Sequence, residues 1–596
     1  MTPLIAQTAA ASPDYWPFAV LGISVGLIIT LITVLRVHAF MALIFAAFAA
    51  GLLAKTLPGE PEKSHWVQAV ELTTTEFGTT AGKIGVVIAL AAMIGLCLME
   101  SGAADKVVRR FLALFGEKRA GAAILVSGYI LSIPIFFDTF FMLLLPLAVA
   151  MYLRTGKDYL LYIMAICCGG TVTHSLIAPH PGPLAMAESL KLDLGLTIMV
   201  GILAGVIPVA CSWLVMKWVS RRLTIPLREV PGMSLADLRA NAEKPESELP
   251  SFGWSILPVI LPIVLISLAS TFVAIQGRGF ETGDIKDAAA LVSRLRNPSD
   301  SAAQWLAGQF SPKTRQMIET RSPSQAPSAA LKEALVGELN NVIHTKQLTA
   351  EPLLAAGKRL RTAIGAAQEP QADNLIRVNR LLIEDAFAAE LKPTTGMNPT
   401  LYTWGVFWGN RNIALLLGAA IALFVLVRQK KGLTLARIAE MIEPPFATAG
   451  VIILITSAGG AFGLMLKNAG VGEAVKALVG DNVSGTYLLL LSWLVSGVIR
   501  IAQGSATVAM LTTAAMIYPI MSSGAALPYH PVYIFMAIGF GAMICSWMND
   551  SGFWVVGKLS GFTEKETLKT WTVALTVNSV AGLLVCLVFS KLVPLV

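Results

Sequence analysis

The sequence predicts an all-α polytopic membrane protein: two inverted-topology repeats, each with a re-entrant hairpin and a broken helix, plus a soluble helical insert. Three observations predict it. Apolar runs long enough to cross a bilayer recur along the chain, two stretches repeat one order of features with opposite sidedness, and one polar segment interrupts the second half.

Of 596 residues, 55% are hydrophobic and only 14% are charged, with mean hydropathy +0.68, which is too apolar for an ordinary soluble enzyme. A bilayer core of about 30 Å takes about 20 apolar residues in helix. Such runs lie at 16–36, 38–54, 83–99, 120–152, 159–178, 194–219, 253–276, 411–428, 446–466, 486–522, 530–556 and 571–593. Those at 120–152 and 486–522 are too long for one crossing and must contain breaks. The six cysteines, Cys97, Cys167, Cys168, Cys211, Cys545 and Cys586, fall in or beside apolar runs. They read as small core residues, so neither a disulfide framework nor a metal site is expected. No Lys or Arg precedes Arg36, so a cleaved signal peptide is not expected and the first span should be retained.

Basic residues set the orientation. Lys106, Arg109, Arg110, Lys118 and Arg119 share one connection, Lys217, Arg221, Arg222 and Arg228 a second, and Arg428, Lys430, Lys431 and Arg437 a third. All three are expected in the cytoplasm. Counting crossings from them puts both termini, residues 55–82 and residues 277–400 outside. The net charge of +8 is then a topology signal, since no aromatic interleaving or basic face points to nucleic acid. Residues 277–400 are polar, and "SAALKEALVGELNNVI" (Ser328 to Ile343) has helical patterning, so the segment reads as a folded insert outside the membrane.

The repeat shows in the order of features. Glu100 to Asp138 and Asn468 to Val508 each open with a small residue and glycine, pass through an amphipathic segment into an apolar span, and reach a break. The breaks are "SIPIFFD", ending at Asp138, and "QGSATV", beginning at Gln503. Each is followed by another, "HPGP" from His180 and "NDSGFW" from Asn549. The first amphipathic segment is assigned inside and the second outside, which inverts the repeat. The expected parts are a first repeat at 1–219, a cytoplasmic linker at 220–252, a second repeat at 253–276 and 401–596, and the insert at 277–400.

Inverted repeats whose broken helices meet near the midplane describe a secondary transporter. Unwound backbone exposes N–H and C=O groups that lipid cannot satisfy, so it survives against protein, water or a ligand. Half-helix N-termini favour an anionic substrate group. Pro134, Pro179, Pro181 and Pro183 could each be an ordinary kink, but their placement at paired breaks argues for more. Asp138 lies between "IPIFF" and "TFFMLLLPLA", where a carboxylate costs about 2.5 to 3.5 kcal/mol. It caps a hairpin tip or serves proton coupling. His174 and His180 do not share a helical face, so a zinc pair is not expected; either is a hydrogen-bonding core residue or a titrating one. Ser505 and Thr507, beside Gly504 and Arg500, form a polar tip that could accept an anion, though Arg500 reads equally as an interface anchor. Asn549 and Asp550 are too polar for lipid and could be interhelical glue.

"IPIFFD", "HSLIAPHPGPLA", "AQGSATVAM" and "WMNDSGFW", in this order, resemble the gluconate permease (GntP) family, within a broader group of inverted-repeat ion transporters. The resemblance covers nearly the whole chain outside the insert. It implies proton-coupled uptake of gluconate or a related sugar acid across a bacterial inner membrane; other members handle glycerate, hydroxy acids or D-serine. It also implies functional positions at Asp138, at His180, Pro181 and Gly182, at Gly504, Ser505 and Thr507, and at Asn549 and Asp550. Two departures are the insert and Trp547, which stands where a polar residue such as His is expected.

The expected function is symport of a small hydroxylated monocarboxylate. Arg500 and the helix ends would receive the carboxylate, and His180, Pro181, Gly182, Gly504, Ser505, Thr507, Asn549 and Asp550 would complete the site. Asp138 and His174 are the candidates for proton coupling. No bound cofactor is expected beyond the co-transported proton, with sodium as the alternative ion. A membrane-embedded hydrolase using Asp138, His174 and His180 is a further alternative, without a nucleophile motif. The expected partners are the anionic substrate, the lipid bilayer and a second copy in a dimer.

Overall fold

The computed structural model describes residues 15–58, 62–116, 119–135, 137–228, 245–276, 279–320, 327–345, 375–393, 399–430, 432–471, 474, 485–522 and 527–595. Among these residues every regular element is helical, and eight helices are long and apolar enough to cross a membrane. The linker residues 229–244 lie outside the described residues.

The chain divides into two compact units, one of residues 1–267 with 410–596 and one of residues 268–409. In the first, α1 (Trp16–Ile29) and α2 (Ala39–Leu53) precede the long α3 (His65–Glu100) and the amphipathic α4 (Ala103–Phe115). A hairpin follows, α5 (Ala120–Leu131) and α6 (Phe137–Thr155), and then a broken pair, α7 (Tyr159–Leu176) and α8 (Pro181–Ser189). Helix α9 (Leu194–Ser220) closes the first repeat and α10 (Phe252–Gln276) begins the second.

The smaller unit carries α11 (Ala288–Arg296), α12 (Ser301–Gln309), α13 (Pro312–Glu319), α14 (Ala329–Thr345), α15 (Leu375–Ala386) and α16 (Pro399–Trp408). Its own core holds Leu291, Leu306, Phe310, Leu335, Leu382 and Phe387. Buried Arg380 is satisfied by Glu384 at 2.8 Å and Asp284 at 3.0 Å. The unit extends past the expected 277–400 because the end of α10 packs on α16. A β-carbon at Gly405 would lie 2.3 Å from the Phe272 ring.

The larger unit resumes with α17 (Arg411–Gln429) and α18 (Leu435–Asn468). A second hairpin, α19 (Gly485–Gln503) and α20 (Ala506–Ser522), leads to a second broken pair, α21 (Val532–Gly541) and α22 (Ser551–Leu559). Helix α23 (Glu564–Leu592) ends it.

Packing follows the repeat. Helix α3 lies against α18, α7 against α21 and α9 against α23; α17 packs on α3 as α2 packs on α18. The first hairpin's α5 leans on α7, and the second's α19 leans on α21. Small residues permit both contacts: β-carbons at Gly169 and Gly541 would lie 2.8 Å from the Leu125 carbonyl oxygen and 2.4 Å from that of Trp493. With helix backbones this close, α7 is enclosed by protein. Over the span Tyr159–Ser189 the most apolar stretch is 94% buried, against 28% for Phe252–Val273.

Helix α3 starts at 65 where hydropathy placed a span from 83, and α18 at 435 where it placed one from 446. The added turns, "VELTTTEFGTTAGK" in α3 and "LARIAEMIEPP" in α18, are mixed in polarity. Hydropathy sees only the lipid-depth part of such helices. The basic connections lie together, since Lys106 pairs with Glu246 at 3.3 Å and Lys430 bonds Glu100. Elsewhere Glu188, at the end of α8, pairs with Arg411 at 2.7 Å and Lys83 at 3.8 Å.

Candidate substrate cavity

Both hairpins and both breaks contain backbone that cannot close helical hydrogen bonds, and side chains brace the two tips. At the first tip the Ser132 and Thr173 hydroxyls hydrogen-bond each other, tying residues 132–135 to α7. At the second, the Ile501 carbonyl accepts from Asn549 Nδ2 at 2.8 Å and Trp547 Nε1 at 3.0 Å. Gly504 turns this tip with φ +89°, and a β-carbon there would lie 2.1 Å from the Asn549 carbonyl oxygen. Only glycine allows the hairpin to press so closely on the α21–α22 break.

Between these parts lies a cavity of about 450 Å³. Its walls are Thr171, His174 and Ser175 on one face of α7, Arg500 and Gln503 at the end of α19, and the tip residues Gly504 to Thr507. Asn549, Asp550 and Ser551 come from the second break, Phe137 from α6, Thr448 and Ile452 from α18, and Trp571 and Leu575 from α23.

One ion pair organises it. Arg500, 3% exposed, donates from Nη2 to Asp550 Oδ2. Asp550 caps α22, accepting the Gly552 N–H on Oδ1 at 3.1 Å. Its Oδ2 also accepts from the Ser546 hydroxyl, which itself takes the Trp571 Nε1–H at 2.7 Å. Thus the carboxylate is held on both oxygens. The guanidinium is not: Arg500 Nε and Nη1 are buried without a partner among the described residues, as are Gln503 Oε1 and His174 Nδ1. Buried donors and acceptors left open beside a cavity are costly unless something fills them.

Of the predicted site residues, the structure brings His174, Arg500, Gly504, Ser505, Thr507, Asn549 and Asp550 together around this cavity. It does not bring His180, Pro181 and Gly182 to the wall. Their helix is packed against α20, where a β-carbon at Gly182 would lie 2.5 Å from Met510 Cε. His180 reaches the cavity only through His174, their ring centroids 3.9 Å apart. Asp138 is the second residue of α6, directly after the wall residue Phe137, and its side chain lies outside the described ones. Trp547 is absent from the wall; it braces the tip from behind through its bond to Ile501.

Sequence reasoning passed over Thr171, Ser175, Gln503, Thr448 and Trp571. Thr171 and Ser175 share a helical face with His174, and Gln503 stands inside "AQGSATV", so three of them carried a signal. Thr448 and Trp571 had none, because only packing turns α18 and α23 toward the site. Among the described residues no three His, Cys, Asp or Glu side chains assemble as metal ligands.

A family profile described as GntP family permease matches residues 16–283 and 381–593. The chain belongs to the GntP permease family. The match passes over residues 284–380, most of the smaller unit. Over 570 residues the chain is 27% identical to a gluconate permease of Pseudomonas aeruginosa, covering 95% of each chain. It is 26% identical to the Gnt-II system L-idonate transporter of Escherichia coli over 586 residues, covering 95% of this chain and 98% of that one. Among solved structures, MtrF of Neisseria gonorrhoeae, described as illuminating a class of antimetabolite efflux pumps, superposes with a TM-score of 0.53 at 13% identity. That superposition covers 94% of this GntP permease and 95% of MtrF, and the likeness is one of fold. The chain is therefore a multi-pass membrane transporter and not an enzyme, and the hydrolase alternative falls.

Proposed function

We propose that this GntP permease carries gluconate or a closely related small hydroxylated monocarboxylate into a bacterial cell across the inner membrane, in symport with protons. The observation that supports it is the open side of Arg500. A guanidinium with Nε and Nη1 free and Nη2 engaged by Asp550 still has charged N–H donors left for a second carboxylate. Gln503, Ser505, Thr507 and Asn549 around it combine donors and acceptors, as a polyhydroxylated chain requires. The names of the P. aeruginosa and E. coli relatives, which refer to gluconate and L-idonate, agree with that chemistry.

The ion pair also separates substrate classes. An ammonium group would need a carboxylate of its own, and the cavity's Asp550 is already bound on both oxygens. A dicarboxylate would need a second cation, and Arg500 is the one Arg or Lys among the described wall residues. Net charge is the reason for a co-transported cation: one anion moving alone against an interior-negative potential costs about 2.3 kcal/mol per 100 mV. A proton cancels that cost, and a sodium ion would do so equally.

Uptake of labelled gluconate into proteoliposomes, with unlabelled competitors, tests the reading. Gluconate and glycerate should displace label far better than succinate, citrate or D-serine. A panel in which succinate or D-serine displaces and excess gluconate does not would end the assignment. A sodium gradient that drives accumulation with no proton gradient present would replace the coupling ion only.

A further inference from the structure

Resting on the carboxylate reading of the cavity, we propose that Asp550 is the proton-coupling group, and that the substrate carboxylate and a proton enter together because both act on the Arg500–Asp550 pair. Arg500 and Asp550 neutralise each other, with Arg500 3% and Asp550 7% exposed. A monocarboxylate arriving on a free N–H of Arg500 leaves one buried guanidinium facing two carboxylates. The excess negative charge is relieved when one carboxylate takes a proton.

Asp550 is the carboxylate placed to take it. The substrate group would take the free side of the guanidinium, whereas Asp550 keeps Ser546, the Gly552 N–H and the Nη2 it already holds. The protonated oxygen of Asp550 becomes a donor, and its neighbour Ser546 Oγ can turn from donor to acceptor by rotating its hydroxyl. No bond other than O–H forms, and the proton returns to water when the substrate leaves.

The surroundings support one titrating acid here. Arg500 from α19 and His174 from α7 are the other charged or titratable side chains described on the wall, with His180 behind His174. The remaining elements present groups that do not titrate: Phe137 from α6, Thr448 from α18, Thr507 from α20, Ser551 from α22 and Trp571 from α23.

The test is proton uptake on gluconate binding by the purified full-length chain, followed with a pH indicator in weak buffer and by titration calorimetry in two buffers. The wild-type chain should take up about one proton per gluconate, with affinity falling about tenfold per pH unit above the midpoint. Asp550→Asn, if it binds, should do so without proton uptake and with affinity independent of pH. An Asp550→Asn chain that binds gluconate and still takes up a proton overturns the proposal.

Where Asp550→Asn binds nothing, Ser546→Ala decides. Ser546 is absent from the wall and donates to ionised Asp550, so its loss favours the protonated acid and should move the midpoint upward. An unmoved midpoint overturns the assignment. Wild-type binding without any proton uptake overturns this inference and leaves the carboxylate reading standing. No binding of gluconate or glycerate removes both.

Discussion

The two broken helices have corresponding backbones and different chemistry. In the first, His180 to Gly182 enter α8 packed against the second hairpin, with Gly182 beneath Met510. In the second, Asn549 and Asp550 enter α22 open to the cavity, beside Arg500, Gln503 and the Gly504 tip. One break therefore holds the site together and the other forms its wall. Inverted repeats duplicate a fold's breaks; they do not duplicate the ligand contacts, because a substrate bound beside one tip cannot touch both equally.

The comparison breaks most readily at Arg500. Arg500→Gln leaves Asp550 buried and unpaired, a change that typically costs about 3 to 5 kcal/mol. Gluconate uptake by reconstituted protein should fall by at least about a hundredfold at normal membrane levels, since each 1.4 kcal/mol is about tenfold. His180→Gln, at the first break, should cost far less, and an equal loss would show that both breaks contact substrate.

The two glycines come next. Gly504→Ala combines a left-handed backbone with a β-carbon 2.1 Å from the Asn549 carbonyl oxygen, so the tip must move. Strain of this kind is worth about 1 to 3 kcal/mol, and uptake should drop about tenfold or more. Gly182→Ala meets the far end of a flexible methionine and should stay within about threefold. Equal losses in initial-rate measurements would remove the distinction between a packed break and a lining one.

A smaller effect is expected at Asp138, in the first hairpin. Asp138→Asn should lower concentrative uptake under a proton gradient by a few fold while substrate exchange survives, and less than Asp550→Asn does. If Asp138→Asn abolishes accumulation and Asp550→Asn spares it, coupling belongs to the first repeat.

The smallest effect belongs to the smaller unit. Deleting residues 281–395 removes most of a unit that has its own core and lies largely outside the family match. Transport should persist within a few fold. Complete loss in a chain that still inserts would make this unit part of the transport machinery. Cysteines at Ser301 and Ser328 should react with an impermeant thiol reagent from outside and one at Ser220 should not; the reverse pattern would invert the orientation.

How legible the protein was depends on the kind of signal. The breaks at 132–135, 177–180 and 504 stand out because Pro and Gly punctuate runs of Leu, Ile and Phe that otherwise continue as helix. The beginnings of α3 and α18 did not, because helix above the lipid has no apolar requirement. The breaks also gave no sign of which would face the cavity, since "HPGP" and "NDSGFW" look equally suited to a ligand.

By itself the sequence determined that this chain crosses a membrane repeatedly, that it does so as two inverted halves, and that an insert interrupts the second. Those properties add up locally: apolar length, basic loops and helix breakers act on the nearby chain whatever packs against it. Tertiary structure alone decided that Arg500 meets Asp550 from 50 residues away, that Ser546 and Trp571 hold the same carboxylate, and that His180 faces protein. The directions of those side chains depend on how α7, α19, α21 and α23 rotate against one another. Close backbone approach at Gly169, Gly504 and Gly541 fixes that rotation, and it is a property of pairs of helices that no single stretch contains.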